Sequence, residues 1–196
     1  MLLPMINDCE KKSVRSQFDG QSSVYGTYAH YGCHGSNVQA AVEREAIIET
    51  LKRMKFSRVL DAGCGPGRYL AFVDQRCEAV GLDISSNMAH AAKRNVRGSD
   101  IVVADMEFIP FRDSSFDLLY SIRVMKYLKN QAEFLREIMR TCGEGGCVLL
   151  CDVRTSENIS YLVLQTCMRI KRVFQSHRSQ QPEESRRLRP SVIKRL

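Results

Sequence analysis

Between residues 58 and 153 one local pattern recurs that few folds accommodate: a short apolar run, then a polar stretch with helical spacing. The runs are RVLDA (58–62), EAVGLD (78–83), DIVVAD (100–105), FDLLYS (116–121) and CVLLCDV (147–153). They are apolar almost throughout rather than at alternate positions, as strands covered on both faces must be. PGRYLAFVDQ (66–75), ISSNMAHAAKRN (84–95) and NQAEFLREIMRTC (130–142) read as the intervening helices, the second capped by Ser85 or Ser86 and the third stopped by Gly143. Strands alternating with helices make βαβ units, and right-handed crossovers assemble these into a Rossmann-like, doubly wound, mostly parallel α/β sheet.

The flanks are less regular. Residues 1–36, interrupted by Gly20, Gly26, Gly32 and Gly35, read as an irregular arm or lid in which Tyr25, Tyr28 and Tyr31 recur every three residues. NVQAAVEREAIIETLKRM (37–54) places Val38, Ala41, Val42, Ile48, Leu51 and Met54 near one helical face. The predicted organisation is thus an arm (1–36), one ligand-binding domain (37–153), a helix (154–178) and a polar tail (179–196), a suitable division for 196 residues with a single core.

Charge is concentrated at one end. From Arg169 onward there are nine Lys or Arg against Glu183 and Glu184, which accounts for the whole formal net charge of +7. Such a tail could contact RNA, although its polar composition also suits a solvated, disordered terminus. The eight cysteines include no Cys-x-x-Cys pair, which favours reduced thiols and a cytoplasmic location. His30, Cys33 and His34 lack the distant second ligand pair that zinc sites use, so no metal is expected. No run reaches the ~18 apolar residues of a membrane span, and MLLPMINDCEKK turns polar too soon for a secretory signal.

In an open parallel sheet, ligands bind beyond the carboxyl ends of the strands, where strand order reverses. Asp61 and the following glycines, Asp83, Asp105 and Ser121 all fall at such ends. Gly63, Gly65 and Gly67 form G-x-G-x-G, and Arg68 stands where a dinucleotide-binding loop has its last glycine. No Gly-Lys-Ser/Thr follows, and the carboxylate of Asp61 would repel phosphate yet attract an ammonium group. These residues therefore point to a nucleoside-like ligand that carries positive charge. Asp83 lies about twenty residues past the loop, where an acid can accept two ribose hydroxyls; capping the next helix is its alternative role. Asp105 could accept from an adenine amino group while Met106 covers the ring.

The ordered set VLDAGCGPG, GLDIS, ADMEFIPFRDSSFD, LLYSIRVMKYL and GEGGCVLLCDV resembles the class I S-adenosylmethionine-dependent methyltransferases, particularly the small-domain type that includes the ubiquinone/menaquinone biosynthesis enzymes. The resemblance implies S-adenosylmethionine as cofactor. It places Asp61, Gly63, Cys64, Gly65 and Gly67 along the methionine moiety, Asp83 on the ribose, Asp105 and Met106 at the adenine, and Ser121 beneath the sulfonium. Ile84 and Met88 complete the cofactor-binding candidates. Phe18-Asp19 and Tyr25 are similar to a family FD…YD pattern that brings a tyrosine over the cofactor, except that Gly26 follows Tyr25. No catalytic base stands out; Arg112 and Arg123 could orient an anionic acceptor.

The family fold continues after the fifth strand with a helix and two further strands, for which the 44 residues after Asp152 leave too little room. The expectation is therefore a sheet without its last two strands and with an unpaired edge. Three functions follow from these features: methyl transfer to a small-molecule acceptor, methyl transfer to tRNA or protein through the basic tail, and a non-catalytic or truncated partner protein. PFRDSSFD and YSIRVMKYL resemble the tRNA wobble-uridine methyltransferases, which supports the second.

Overall fold

The computed structural model describes residues 8–28, 38–53, 56–73, 77–151 and 194–195. Helix α1 (Asp8–Tyr28) and helix α2 (Val38–Arg53) precede strand β1 (Arg58–Ala62). Then follow β2 (Glu78–Asp83), α3 (Ser86–Asn95), β3 (Asp100–Val103), β4 (Phe116–Ile122), α4 (Gln131–Thr141), β5 (Cys142–Cys151) and β6 (Lys194–Arg195). The sheet order is β5-β4-β1-β2-β3-β6, parallel except for β6. The chain moves one way from β1 through β2 to β3, then returns to β4 on the other side of β1. The order thus reverses between β1 and β4.

Each central strand divides its residues between two cores with a period of two. Val59, Leu118, Tyr120, Ile101 and Leu149 face the side covered by α2 and α3, where they meet Ile47, Leu51, Ala89 and Ala92. Leu60, Leu82, Val102, Leu119 and Leu150 face α4, which supplies Phe134 and Ile138. The caps follow the sequence closely. Ser85 accepts from the Met88 N–H at the start of α3, and Asn130 accepts from the Glu133 N–H at the start of α4.

Four expectations change. The arm expected to be irregular contains the 21-residue α1. Its side-chain stripe of Lys11, Val14, Phe18 and Gln21 is half-buried at helical spacing, but only two of the four are apolar. Of the helix expected over 66–75, the described residues 66–73 form a turn and a 3-10 segment at Leu70–Phe72, and Gly67 at φ +84° lies outside right-handed helical geometry. Strand β5 begins at Cys142 rather than Cys147, with the GEGG stretch bulging between Phe116↔Cys142 and Leu118↔Cys147. At the tail, Lys194–Arg195 form β6, antiparallel to Val102 and Val103, so this piece of the basic terminus closes the β3 edge. The predicted helix at 156–175, the remainder of the tail and the His30–His34 cluster lie outside the described residues. Among the described residues β5 pairs only with β4, and no helix is long and apolar enough to cross a membrane.

Candidate functional site

The carboxyl ends of β1, β2, β3 and β4 bring the sequence candidates to one edge. After β1 the chain reverses sharply: the Gly63 and Cys64 N–H groups both donate to the Leu82 carbonyl, at 2.7 and 3.0 Å. The loop is also held by a carboxylate. Asp83 accepts from the Gly65 N–H at 2.8 Å through one oxygen and from the Ser85 N–H at 2.9 Å through the other. Asp83 thereby joins the glycine loop to the start of α3, and the capping role offered for it belongs to Ser85 instead. Burial raises the Asp83 carboxyl to about 6, against the backbone bonds from Ser85 and Gly65 and with added repulsion from Asp19.

Asp61 has the opposite surroundings. It is 2% exposed, and its Oδ2 has no hydrogen-bond partner. Its register neighbour on β4, Tyr120, is fully buried, and its hydroxyl lies close enough to Asp61 to favour the ionised carboxylate although the pair does not complete a hydrogen bond. Burial pushes the Asp61 carboxyl well above its usual range, and the charge on Asp83 pushes the same way. Ser121, 1% exposed, adds a third unpartnered buried oxygen, its hydroxyl Oγ. Polar atoms in this state cost stability unless something pairs with them; Asp61 and Tyr120 share one face of the sheet and Ser121 the other, all at the strand reversal where open parallel sheets bind ligands, which makes this edge the candidate site.

The remaining candidates divide by direction. Gly65 is open, with nothing within 4 Å of where a Cβ would stand. Gly63 is close-packed, since a Cβ there would lie 2.6 Å from Val124 and 3.0 Å from Met106. The Cys64 thiol packs into the core, near where a Gly81 Cβ would be, and donates to the Gly65 carbonyl at 3.5 Å; burial raises it well above its usual range. Met88 is fully buried in the first turn of α3, whereas Ile84 is half-buried. Arg112 and Arg123 are exposed, and Arg123 holds a left-handed φ of 61° immediately after β4. A cleft of about 240 Å³ lies elsewhere, at the amino ends of β2 and β3, lined by Leu70, Val73, Ala79, Arg94, Val96 and Ser99. It contains none of these carboxylates.

Helix α1 contributes further groups, of which the sequence singled out only Phe18 and Asp19. Lys11 Nζ binds Asp105 at 2.5 Å and Glu107 at 2.8 Å, and stands 4.9 Å from the centre of the Phe108 ring. Glu107 in turn accepts from the Lys129 and Asn130 N–H groups. Burial alone would raise Glu107, but Lys11 and these backbone donors bring it below the usual carboxylate range. About two turns further along α1, Asp19 accepts from the Ser85 hydroxyl at 2.5 Å and the Asn87 N–H at 3.2 Å, and Phe18 meets Tyr127 edge-on at 4.9 Å. Phe18 and Asp19 are the pair that resembles the FD pattern in the sequence. Lys11, Glu107 and Tyr120 carry no local signal, since their partners are brought to them only by the fold.

Comparison with known proteins completes the description. Residues 60–150 match the family model described as a methyltransferase domain. The chain is 34% identical over 129 residues to malonyl-[acyl-carrier protein] O-methyltransferase of Enterobacter lignolyticus, covering 64% of this chain and 50% of that protein. It is 32% identical over 154 residues to an uncharacterized protein, MJ1252, of Methanocaldococcus jannaschii, covering 79% and 57%. The chain thus spans about half the length of the curated relatives it matches. Its fold is similar to that of Haemonchus contortus phosphoethanolamine N-methyltransferase 1, solved with phosphoethanolamine and S-adenosylhomocysteine (TM-score 0.65, 19% identity, 83% of this chain and 36% of that one). It is also similar to the [4+2]-cyclase SpnF (TM-score 0.61, 20% identity, 86% and 71%).

Proposed function

Because the chain belongs to the class I S-adenosylmethionine-dependent methyltransferase family, we propose that it binds S-adenosylmethionine along the carboxyl edge of β1, β2 and β3 and transfers the methyl group to a small-molecule acceptor. The observation that carries this reading is the buried Oδ2 of Asp61, unpartnered beside an open glycine loop. An ammonium group would satisfy it, and phosphate would not. The other residues fit the same molecule. Gly65 leaves room for close backbone approach, the Asp83 oxygens retain lone pairs for ribose hydroxyls, and Asp105 with Met106 suits the adenine.

Bound S-adenosylmethionine would supply a methyl group on a sulfonium, open to direct displacement by an acceptor's lone pair. The chain's task is then positioning and exclusion of water. Ser121, buried at the end of β4, would be placed beneath the sulfonium. Arg123, held at the same strand end, would orient an anionic acceptor. The malonyl-[acyl-carrier protein] relatives support a small carboxylated acceptor; a cytoplasmic location and the 37–153 domain boundary belong to the same proposal. The strand pairing of Lys194–Arg195 favours a structural part for that piece of the tail over RNA contact.

Calorimetry with S-adenosylhomocysteine tests the reading, and its absence of binding at millimolar ligand would remove it. The pH dependence is specific. Asp83 must be ionised to accept two hydroxyls, so affinity should hold from pH 8 to about pH 6 and weaken below the raised value of about 6. For one required ionisation the dissociation constant grows roughly tenfold per pH unit there. Asp83→Asn should lose that dependence and bind about tenfold or more weakly at pH 7.5. Folding stability runs the other way. With the folded value above the unfolded 3.8, the native state retains a proton that the unfolded chain has released, and the Asp83 contribution improves as pH falls from about 6 towards 4.

A further inference from the structure

Asp105 is the acid placed to read the adenine amino group, yet a cation from α1 already holds it. Lys11 Nζ bridges Asp105 Oδ2 and Glu107 Oε2, and all three groups are largely shielded from solvent. The two carboxylates differ in what else they do. Glu107 is almost fully buried and fixed through its other oxygen by the Lys129 and Asn130 N–H groups, at 2.9 and 3.0 Å. Asp105 is half-buried, and its other oxygen accepts from the Glu107 N–H. Glu107 is thus a fixed anchor, while the face of Asp105 towards Lys11 is the one a ligand would use. Two further contacts hold α1 in place regardless of Lys11: Asp19 on Ser85 and Asn87, and Phe18 on Tyr127.

We infer that Lys11 is an affinity-setting latch on the cofactor site: its ammonium occupies Asp105 where the adenine amino group would bind, and cofactor entry displaces it from Asp105 onto Glu107 alone. The inference rests on the proposed S-adenosylmethionine site. Adenine donates one neutral N–H to Asp105, whereas Lys11 brings a full charge, so the exchange costs ion pairing and weakens the cofactor. Because Glu107 still holds Lys11 after the exchange, α1 need not leave the protein, and the Asp19 and Phe18 contacts keep it over the strand ends. The latch therefore sets affinity without unfolding the helix.

The decisive measurement is S-adenosylhomocysteine binding by calorimetry to the full chain and to Lys11→Met, Glu107→Gln and the double variant, alongside amide hydrogen exchange of residues 8–28. Lys11→Met keeps the packed stem but removes the charge, and should bind about three- to fivefold more tightly. Glu107→Gln can still accept from the Lys129 and Asn130 N–H groups but no longer competes for the ammonium. It should bind about threefold more weakly, an effect that disappears in the double variant. Exchange in 8–15 should accelerate in Lys11→Met without cofactor, while exchange around Asp19 stays slow. A purely structural Lys11 would also accelerate exchange but leave affinity unchanged or weaker, and that result overturns the latch. Binding by neither the parent nor Lys11→Met at millimolar ligand removes the cofactor site and the latch together. Binding by Lys11→Met alone supports both.

Discussion

Asp61→Asn should give a protein that is more stable than the parent and binds the cofactor about tenfold or more weakly. The carboxyl is 2% exposed with Oδ2 unpartnered, and burial raises it well above the usual range with help from Asp83, only opposed by the neighbouring Tyr120 hydroxyl. An acid whose folded value exceeds its unfolded one costs stability where the unfolded chain is ionised, and the cost falls as pH drops towards the unfolded 3.8. Asparagine stands for the neutral form at every pH. Urea denaturation at pH 8 should therefore show a gain of about 1–3 kcal/mol, the range for an unpaired buried polar group, and the gain should shrink at pH 5. Affinity for S-adenosylhomocysteine should fall about tenfold or more, as for loss of a charged hydrogen bond. A variant less stable than the parent at pH 8 would mean that the ionised carboxylate is satisfied within the fold. Unchanged affinity would remove Asp61 from the site. The residue thus reads as a stability cost retained for binding, a trade common at functional sites.

Gly67→Ala should have the largest effect on folding. At φ +84° the position is unfavourable for any side chain, and a Cβ there would stand 2.5 Å from Val96 Cγ2 and 3.4 Å from the Ala92 backbone. Left-handed strain costs roughly 1–2 kcal/mol and overpacking roughly 1–3, for a total of about 2–5 kcal/mol. That is a large part of the ~5–15 kcal/mol that holds a typical domain. Gly65→Ala is the matched control: φ is +52° and nothing lies within 4 Å, so only the strain of about 1–2 kcal/mol is expected. Equal losses in the two variants would show that Val96 yields freely and that the loop is not clamped from behind by α3.

The five parallel strands were legible because burial on both faces leaves apolar runs that nothing else in the chain imitates. The polar residues at the strand ends were legible for a related reason: once the sheet order is known, Asp61, Asp83, Asp105 and Ser121 must share an edge. What escaped was stabilised from a distance. PGRYLAFVDQ has proline and apolar spacing suited to a helix, but Gly67 takes a left-handed φ at a place where Val96 and Ala92 leave no room for a Cβ, and that packing is not visible in the local sequence. Helix α1 looked irregular because its buried stripe is half polar and Gly20 interrupts it. It is held by Lys11 and Asp19, whose partners lie 94 and 66 residues away along the chain. Tyr120 sat within an ordinary strand, and only the register with Asp61 gives it a place beside the site.

The carboxylate of Asp83, bonded at once to the Gly65 and Ser85 N–H groups, has a kinetic consequence. A loop already tied in its working shape needs no ordering when a ligand arrives, so loop folding cannot limit the association rate. On the proposed latch, the slow event would then be release of the Lys11 ammonium from Asp105 at the amino end of α1. In stopped-flow mixing, the observed rate for S-adenosylhomocysteine should rise with concentration and then level off at the rate of that release. Lys11→Met should raise the plateau, whereas Gly65→Ala should leave it unmoved. Readiness in the loop thus transfers control of cofactor entry to a distant segment of the chain.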